Sequence, residues 1–220
     1  MNNIFNKFDL FIFDLDDTLI QTEKYHYKAW LKTLKIFLTN EFTFSFEEFS
    51  TIFHSMKENN IKNYLVDDLK IEDYENVIKT KNKIYYELIN ENKNELKMIN
   101  GAEKFIQNIL KHNKKFVIVT NSPKEQLNFL SDIFIILKKS TKNYYREMFK
   151  NKKPNPECYL KVLDDFPNEK AVGFEDSITG IHSITQTNIL TYYINNSNYI
   201  HNTYILNNYN VIQINDYNIF

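Results

Sequence analysis

The chain has 220 residues, 43% of them hydrophobic and 25% charged, with a formal net charge of −1. That suffices for one good core plus an insertion, is short for two independent domains, and is the composition of a globular rather than a disordered protein. The near-neutral balance excludes a general attraction to nucleic acid or an anionic membrane surface, and no apolar stretch approaches the ~20 residues of a membrane span.

A single cysteine, Cys158, cannot form an internal disulfide. The first apolar run follows no basic segment and stops at a carboxylate, so no secretory signal is expected and a cytoplasmic location is. That run, residues 8–13, is short and rich in Phe and Ile, and a polar turn bounds it. It reads as a buried strand ending at Asp14. Asp16, Asp17 and Thr18 come next. Residues two apart on an extended chain point the same way, so Asp14 and Asp16 are expected to converge on one site. Two crowded carboxylates repel unless a cation or a shared proton relieves them. Read alone, the stretch is equally an acidic turn that closes a strand.

Residues 19–38 place Tyr25, Ala29, Leu31, Leu34 and Leu38 at helical spacing. Residues 42–49 alternate Phe with polar residues, but Ser45 with Glu48 makes a capping box, so a second helix to about Met56 is expected. A third short helix is expected over 61–69. A long amphipathic one is expected over 71–92, with Val77, Ile78, Ile84, Tyr85 and Leu88 inward. The segment 21–97 therefore reads as a helical module inserted into an α/β chain made of residues 1–20 and 98–220.

The α/β pattern resumes at Gly101. A helix is expected over 102–111, a strand over 116–119 ending at Thr120, Asn121 and Ser122, and a helix opened by Pro123. A third strand is expected over 133–137. Lys153 and Pro154 lie in a turn before a helix through Tyr159, Leu160 and Leu163. A strand over 170–174 ends in Glu175, Asp176 and Ser177, a helix is expected over 179–186, and strands over 189–194 and 210–214 close the fold. Strands alternating with helices imply a parallel sheet covered on both faces. Its ligands would bind at the carboxyl ends of the strands.

The run Asp14, Leu15, Asp16, Asp17, Thr18, Leu19 resembles the first motif of the haloacid dehalogenase superfamily, most of whose members are Mg²⁺-dependent phosphatases. Three further stretches match the later motifs in order: Thr120 after a strand, Lys153 before Pro154, and Gly173 to Ile181 with its acidic pair Glu175 and Asp176. The resemblance implies a Rossmann-like α/β core with a parallel sheet, helices on both faces and an inserted α-helical cap. It implies Asp14 as nucleophile and Asp16 as general acid and base. Thr120, Asn121 and Lys153 would hold the phosphoryl group. Mg²⁺ would sit on Asp14, the Asp16 backbone carbonyl and Asp176, with Glu175 in support. The dehalogenating branch lacks the second Asp, so Asp16 argues against that chemistry.

Residues 22–30, with Thr22, His26 and Trp30, resemble the corresponding stretch of the β-phosphoglucomutase subgroup. Lys57 and Lys81 fall near that subgroup's phosphate-reading positions. The resemblance implies an enzyme acting on a small phosphorylated metabolite, as a phosphatase or alternatively as a hexose-phosphate mutase. A non-catalytic phosphate binder is a third reading. No nucleic-acid or membrane partner is expected, and a monomer or weak homo-oligomer is.

Overall fold

A computed structural model describes residues 4–53, 58–195 and 202–220. The chain divides into two compact units, Met1–Gln21 with Met98–Phe220, and Thr22–Lys97. Helices α1 (Glu23–Phe37), α2 (Phe46–Ile52), α3 (Glu58–Asn63) and α4 (Tyr74–Glu91) build the second unit. Helices α5 (Ala102–Lys111), α6 (Lys124–Ile133), α7 (Glu157–Asp165), α8 (Ile178–Thr185) and α9 (Asn202–Asn208) belong to the first.

The first unit is organised on strands β1 (Leu10–Phe13), β2 (Lys115–Val119), β3 (Lys142–Tyr144), β4 (Ala171–Glu175), β5 (Leu190–Ile194) and β6 (Ile212–Ile214). All pair in parallel, in the order β3-β2-β1-β4-β5-β6. The parallel pairing is as expected from the alternating pattern; the order is the Rossmann order that the resemblance implies, and its switch point lies between β1 and β4.

A central parallel strand must be apolar on both faces, and β1 shows why the run Leu-Phe-Ile-Phe ends up there. Leu10 and Ile12 join Val117, Val119, Tyr159, Val162 and Ile184 in one core layer. Phe11 and Phe13 point to the opposite face, where Phe105 of α5 meets both edge-on at 5.7 and 6.1 Å. Phe174 of β4 stacks on Phe13 at 4.7 Å, and Tyr217 near the carboxyl terminus approaches it at 6.0 Å. Re-entry into this unit needs Gly101. Its φ is +77° as it caps α5, and a Cβ there would lie 2.8 Å from the Asn218 side chain.

One expected strand is not a strand. Residues 133–137 end α6 and continue into a 3₁₀ turn, Ile135–Lys139, with Leu137 buried and Ile135 exposed. The third strand is Lys142–Tyr144 instead. It sits at the sheet edge and pairs only with β2, so it needs one inward side chain, Tyr144, rather than an apolar run. Helix α9 and the closing 3₁₀ turn Tyr217–Ile219 were not expected from the sequence.

In the second unit, the Ser45–Glu48 capping box is formed in both directions and opens α2. The expected extension to Met56 lies outside the described residues. Helix α1 begins at Glu23 behind Thr22, the start that Thr22 followed by Tyr25 and His26 implies, and the third helix runs from Glu58 into a π turn, Tyr64–Asp68. The core of this unit is aromatic and aliphatic. Trp30 stacks on Phe53 at 4.3 Å, with Leu34, Phe44, Phe49, Leu65, Ile71 and Val77 around them. Among the described residues, no helix of either unit is long and apolar enough to cross a membrane.

Asp165, at the end of α7, ties the edge strand to the layer below it. Lys142 Nζ and Tyr144 Oη donate to its Oδ2 at 2.6 Å each, and Lys161 Nζ donates to Oδ1 at 2.9 Å. These donors hold its carboxyl well below the ordinary carboxylate range. A carboxyl depressed in the folded state contributes stability above its unfolded value that is lost as pH falls through the folded one. Asp165→Asn should therefore lower unfolding free energy by about 1–2 kcal/mol at neutral pH. Urea titrations should show that difference constant above about pH 5 and shrinking below about pH 4.

Candidate active site

The carboxyl ends of β1, β2 and β4 carry Asp14, Thr120 and Glu175, and these three strands are neighbours. Lys153 enters from the loop between β3 and α7. Its Nζ donates to Asp14 Oδ1 at 2.7 Å, to Glu175 Oε1 at 2.6 Å and to the Val119 carbonyl at 2.7 Å. The ammonium is 5.0 Å above the Tyr159 ring, and the Tyr159 hydroxyl donates to Glu175 Oε1 at 2.5 Å. Lys153 is only 5% exposed and Glu175 not at all, so this loop lysine is buried rather than solvated.

Asp176 completes the cluster. Its Oδ1 accepts from Thr18 Oγ1 at 2.9 Å, while its buried Oδ2 has no hydrogen-bond partner among the described residues. Helix α8 is capped by Ser177, whose hydroxyl accepts from the Gly180 N–H at 3.0 Å. The acidic pair is therefore not consumed as helix caps.

The Asp14 carboxyl is pushed up to about 8 in sum: burial raises it, the Lys153 ammonium pulls it down, and the charges of Glu175 and Asp16 push it up again. Burial, reinforced by the charge of Asp14, holds the Asp176 carboxyl well above the ordinary range. Lys153 is shifted the other way. Burial alone would lower it, but Asp14 and Glu175 hold it protonated above the usual lysine value.

If all three buried acids ionise, one ammonium leaves excess negative charge, and burial together with that excess is what holds Asp14 and Asp176 high in the absence of a cation. One carboxylate oxygen from each of Asp14, Glu175 and Asp176 lies within 4.8 Å of the others. An all-oxygen set of this kind suits a hard divalent cation such as Mg²⁺, which takes carboxylates and retains waters. The orphaned Asp176 Oδ2 is the atom such an ion would satisfy.

The remaining expected residues divide by unit. Thr120 Oγ1 accepts from the Ser122 N–H at 3.0 Å, which leaves its own hydroxyl hydrogen as a donor. Asn121 braces Lys153 from both sides, donating to its carbonyl at 3.2 Å and accepting from its N–H at 3.1 Å. Asp16 accepts from Ser122 Oγ at 2.7 Å and from Gln126 Nε2 at 3.0 and 3.2 Å. In the helical unit, Lys81 is buried on the inner side of α4, not solvated. Its Nζ is 2.8 Å from His26 Nδ1 and 5.1 Å from the Tyr85 ring centroid, and Tyr85 stacks on His26 at 4.3 Å. If Lys81 is an ammonium it can only donate, and His26 Nδ1 is then the acceptor with the ring proton on Nε2. Lys57 lies outside the described residues.

Several residues around the cluster drew no role from the sequence. Tyr159 and Thr18 orient Glu175 and Asp176, and Ser122 and Gln126 hold Asp16. The Tyr217 hydroxyl supports the first motif from 199 residues away, donating to the Thr18 carbonyl at 3.0 Å. Only Thr18 and Ser122 lie inside stretches that the motif pattern draws attention to. The other three are contacts that no local signal announces.

Gly180 matters for a steric reason. A Cβ there would stand 1.9 Å from Glu175 Oε2, and Tyr159 and Lys153 hold that carboxylate in place. Gly180→Ala should lower unfolding free energy by about 2–3 kcal/mol. Denaturant titration measures this, and a change below about 0.5 kcal/mol would mean that Glu175 swings aside freely.

Known proteins share this architecture. The family model described as haloacid dehalogenase-like hydrolase matches residues 11–194. Among solved structures, a family IA, variant 3 hydrolase of the same class from Entamoeba histolytica is 22% identical, with a TM-score of 0.81 over 96% of this chain and 95% of that one. CbbY from Rhodobacter sphaeroides, solved as a point mutant in complex with xylulose-(1,5)bisphosphate, is 16% identical, with a TM-score of 0.78 over 96% and 95% of the two chains. A search of curated proteins finds no significant match.

Proposed function

The chain belongs to the haloacid dehalogenase-like hydrolase family, and we propose that it is a Mg²⁺-dependent phosphatase acting on a small phosphorylated metabolite. The observation that carries this reading is the Lys153 ammonium held between Asp14 and Glu175, beside the orphaned oxygen of Asp176. A dianionic phosphoryl group cannot approach a bare carboxylate, but positive charge fixed beside that carboxylate removes the barrier.

In the proposed reaction an Asp14 oxygen attacks phosphorus in line, and the bond from phosphorus to the leaving oxygen breaks. Asp16 gives its proton to that oxygen. Water then attacks phosphorus, its proton passes to Asp16, the bond to Asp14 breaks and inorganic phosphate departs. Lys153 and the Thr120 hydroxyl would hold the phosphoryl oxygens through these steps. A cation bound by Asp14, the Asp16 carbonyl and Asp176, with Glu175 in support, would supply Lewis-acid neutralisation of the same oxygens. In the helical unit, Lys81 and His26 are the proposed readers of the rest of the substrate. The sugar bisphosphate in the CbbY complex favours a sugar phosphate or related monoester as that substrate.

Hydrolysis of an aryl phosphate should require Mg²⁺ and vanish in Asp14→Asn; hydrolysis that survives either change would end this reading. Asp16→Asn should slow turnover by about 10²–10⁴-fold. Its Mg²⁺-induced rise in melting temperature should remain, whereas Asp176→Ala should abolish that rise. A panel of phosphomonoesters would identify the substrate. With the best of them, Lys81→Ala should raise KM about tenfold or more at little change in kcat, the signature of lost binding.

A further inference from the structure

Asp16 is held by one helix start. Ser122 immediately precedes the turn into α6, and Gln126 lies in the first turn of that helix. The Ser122 hydroxyl takes Oδ2 at 2.7 Å, and the Gln126 amide nitrogen spans Oδ1 at 3.0 Å and Oδ2 at 3.2 Å. Both oxygens of the carboxylate are therefore addressed from the same rigid element. The turn itself is braced, because the Ser122 N–H donates to Thr120 Oγ1 and the Arg146 N–H donates to the Ser122 carbonyl. Gln126 is 4% exposed. A buried primary amide needs partners to offset its lost hydration, and this one directs its nitrogen at a single carboxylate 110 residues earlier in the chain.

We propose that Ser122 and Gln126 form a positioning clamp that aims the Asp16 carboxyl group at the leaving oxygen during phosphoryl transfer. The proposal rests on the phosphatase reading above and deepens it. An aspartate side chain has two torsions to fix, and displacement of a reacting group by about 1 Å can cost about 100-fold in rate. As Asp16 gives up its proton, negative charge develops on its two oxygens. The clamp presents donors to both before the step begins, so no reorganisation is needed when that charge appears. Ser122 and Gln126 touch neither the phosphoryl group nor the nucleophile in this scheme. They act through Asp16.

The test is a series of aryl phosphates whose leaving phenols range from dinitrophenol to phenol itself. Single-turnover rates of phenol release, which report phosphoryl transfer to Asp14 and not the later attack by water, would be measured at saturating Mg²⁺ for the unaltered protein, Ser122→Ala, Gln126→Met and Ser122→Thr. A dinitrophenolate needs no proton to depart, whereas phenoxide does. Loss of the clamp should therefore leave dinitrophenyl phosphate within about twofold while slowing phenyl phosphate about tenfold or more, a fraction of what general acid catalysis contributes. Ser122→Thr keeps the hydroxyl donor and should restore most of the loss seen in Ser122→Ala.

A uniform loss across the series, or none, would overturn the clamp and return Gln126 to a packing role. Absence of any Mg²⁺-dependent turnover by the unaltered protein would defeat the phosphatase reading instead. The contact would then be judged by NMR. The Gln126 side-chain amide hydrogens should be shifted and slow to exchange, and Asp16→Ala should return them to free-amide behaviour. Unchanged signals would overturn the clamp on that measurement too.

Discussion

The contact between Lys153 and the two carboxylates on either side of it allows the rest of the site to exist. Removing a carboxylate from water costs several kcal/mol even after relaxation, and two placed side by side also repel. Asp14 and Glu175 are nonetheless buried together, because one ammonium donates to both at 2.7 and 2.6 Å. The third donor contact of that ammonium goes to the Val119 carbonyl, which anchors it to the end of β2. Asn121 fixes the Lys153 backbone and Tyr159 fixes Glu175. Every group in the cluster is thus held by a second one, except the Asp176 oxygen that a cation would claim.

Parallel topology explains how residues so far apart in sequence arrive at one place. Each right-handed crossover returns the chain to the same end of the sheet, so successive strands finish side by side. β1 lies between β2 and β4, and the residues just past each of these strands are delivered to a single rim. The core enforces this arrangement. Four aromatic rings, Phe13, Phe105, Phe174 and Tyr217, pack against one another beneath the rim, and the Tyr217 hydroxyl reaches up to the Thr18 carbonyl. Hydrophobic burial therefore also sets the height of the first motif's turn, whose Thr18 hydroxyl in turn holds Asp176.

The helical unit is stabilised differently. Its core is a set of stacked and edge-on rings around Trp30 and Phe53, with the capping box fixing the start of α2. Lys81 stands on the packed side of α4, where a lysine is costly unless its ammonium has partners. The His26 nitrogen and the faces of Trp30 and Tyr85 are near it, at distances suited to a hydrogen bond and to cation–π attraction. Such a lysine is held in one orientation, unlike a flexible surface lysine.

The sequence by itself determined the parallel α/β class, through the alternation of strands and helices along the chain, and the central strand and the capping box of α2, through local composition and spacing. The third strand was not legible, because a three-residue edge strand needs no apolar pattern, while the apolar run that imitated one belongs to a helix end. Asp14, Lys153, Glu175 and Asp176 could be named from motifs, but only the tertiary structure decided that one ammonium bridges two of these acids and that one Asp176 oxygen is left without a partner. Tyr159, Gln126 and Tyr217 lay beyond reading altogether. Their roles are contacts across 16, 110 and 199 residues, and a hydrogen bond between distant segments leaves no local mark on either of them.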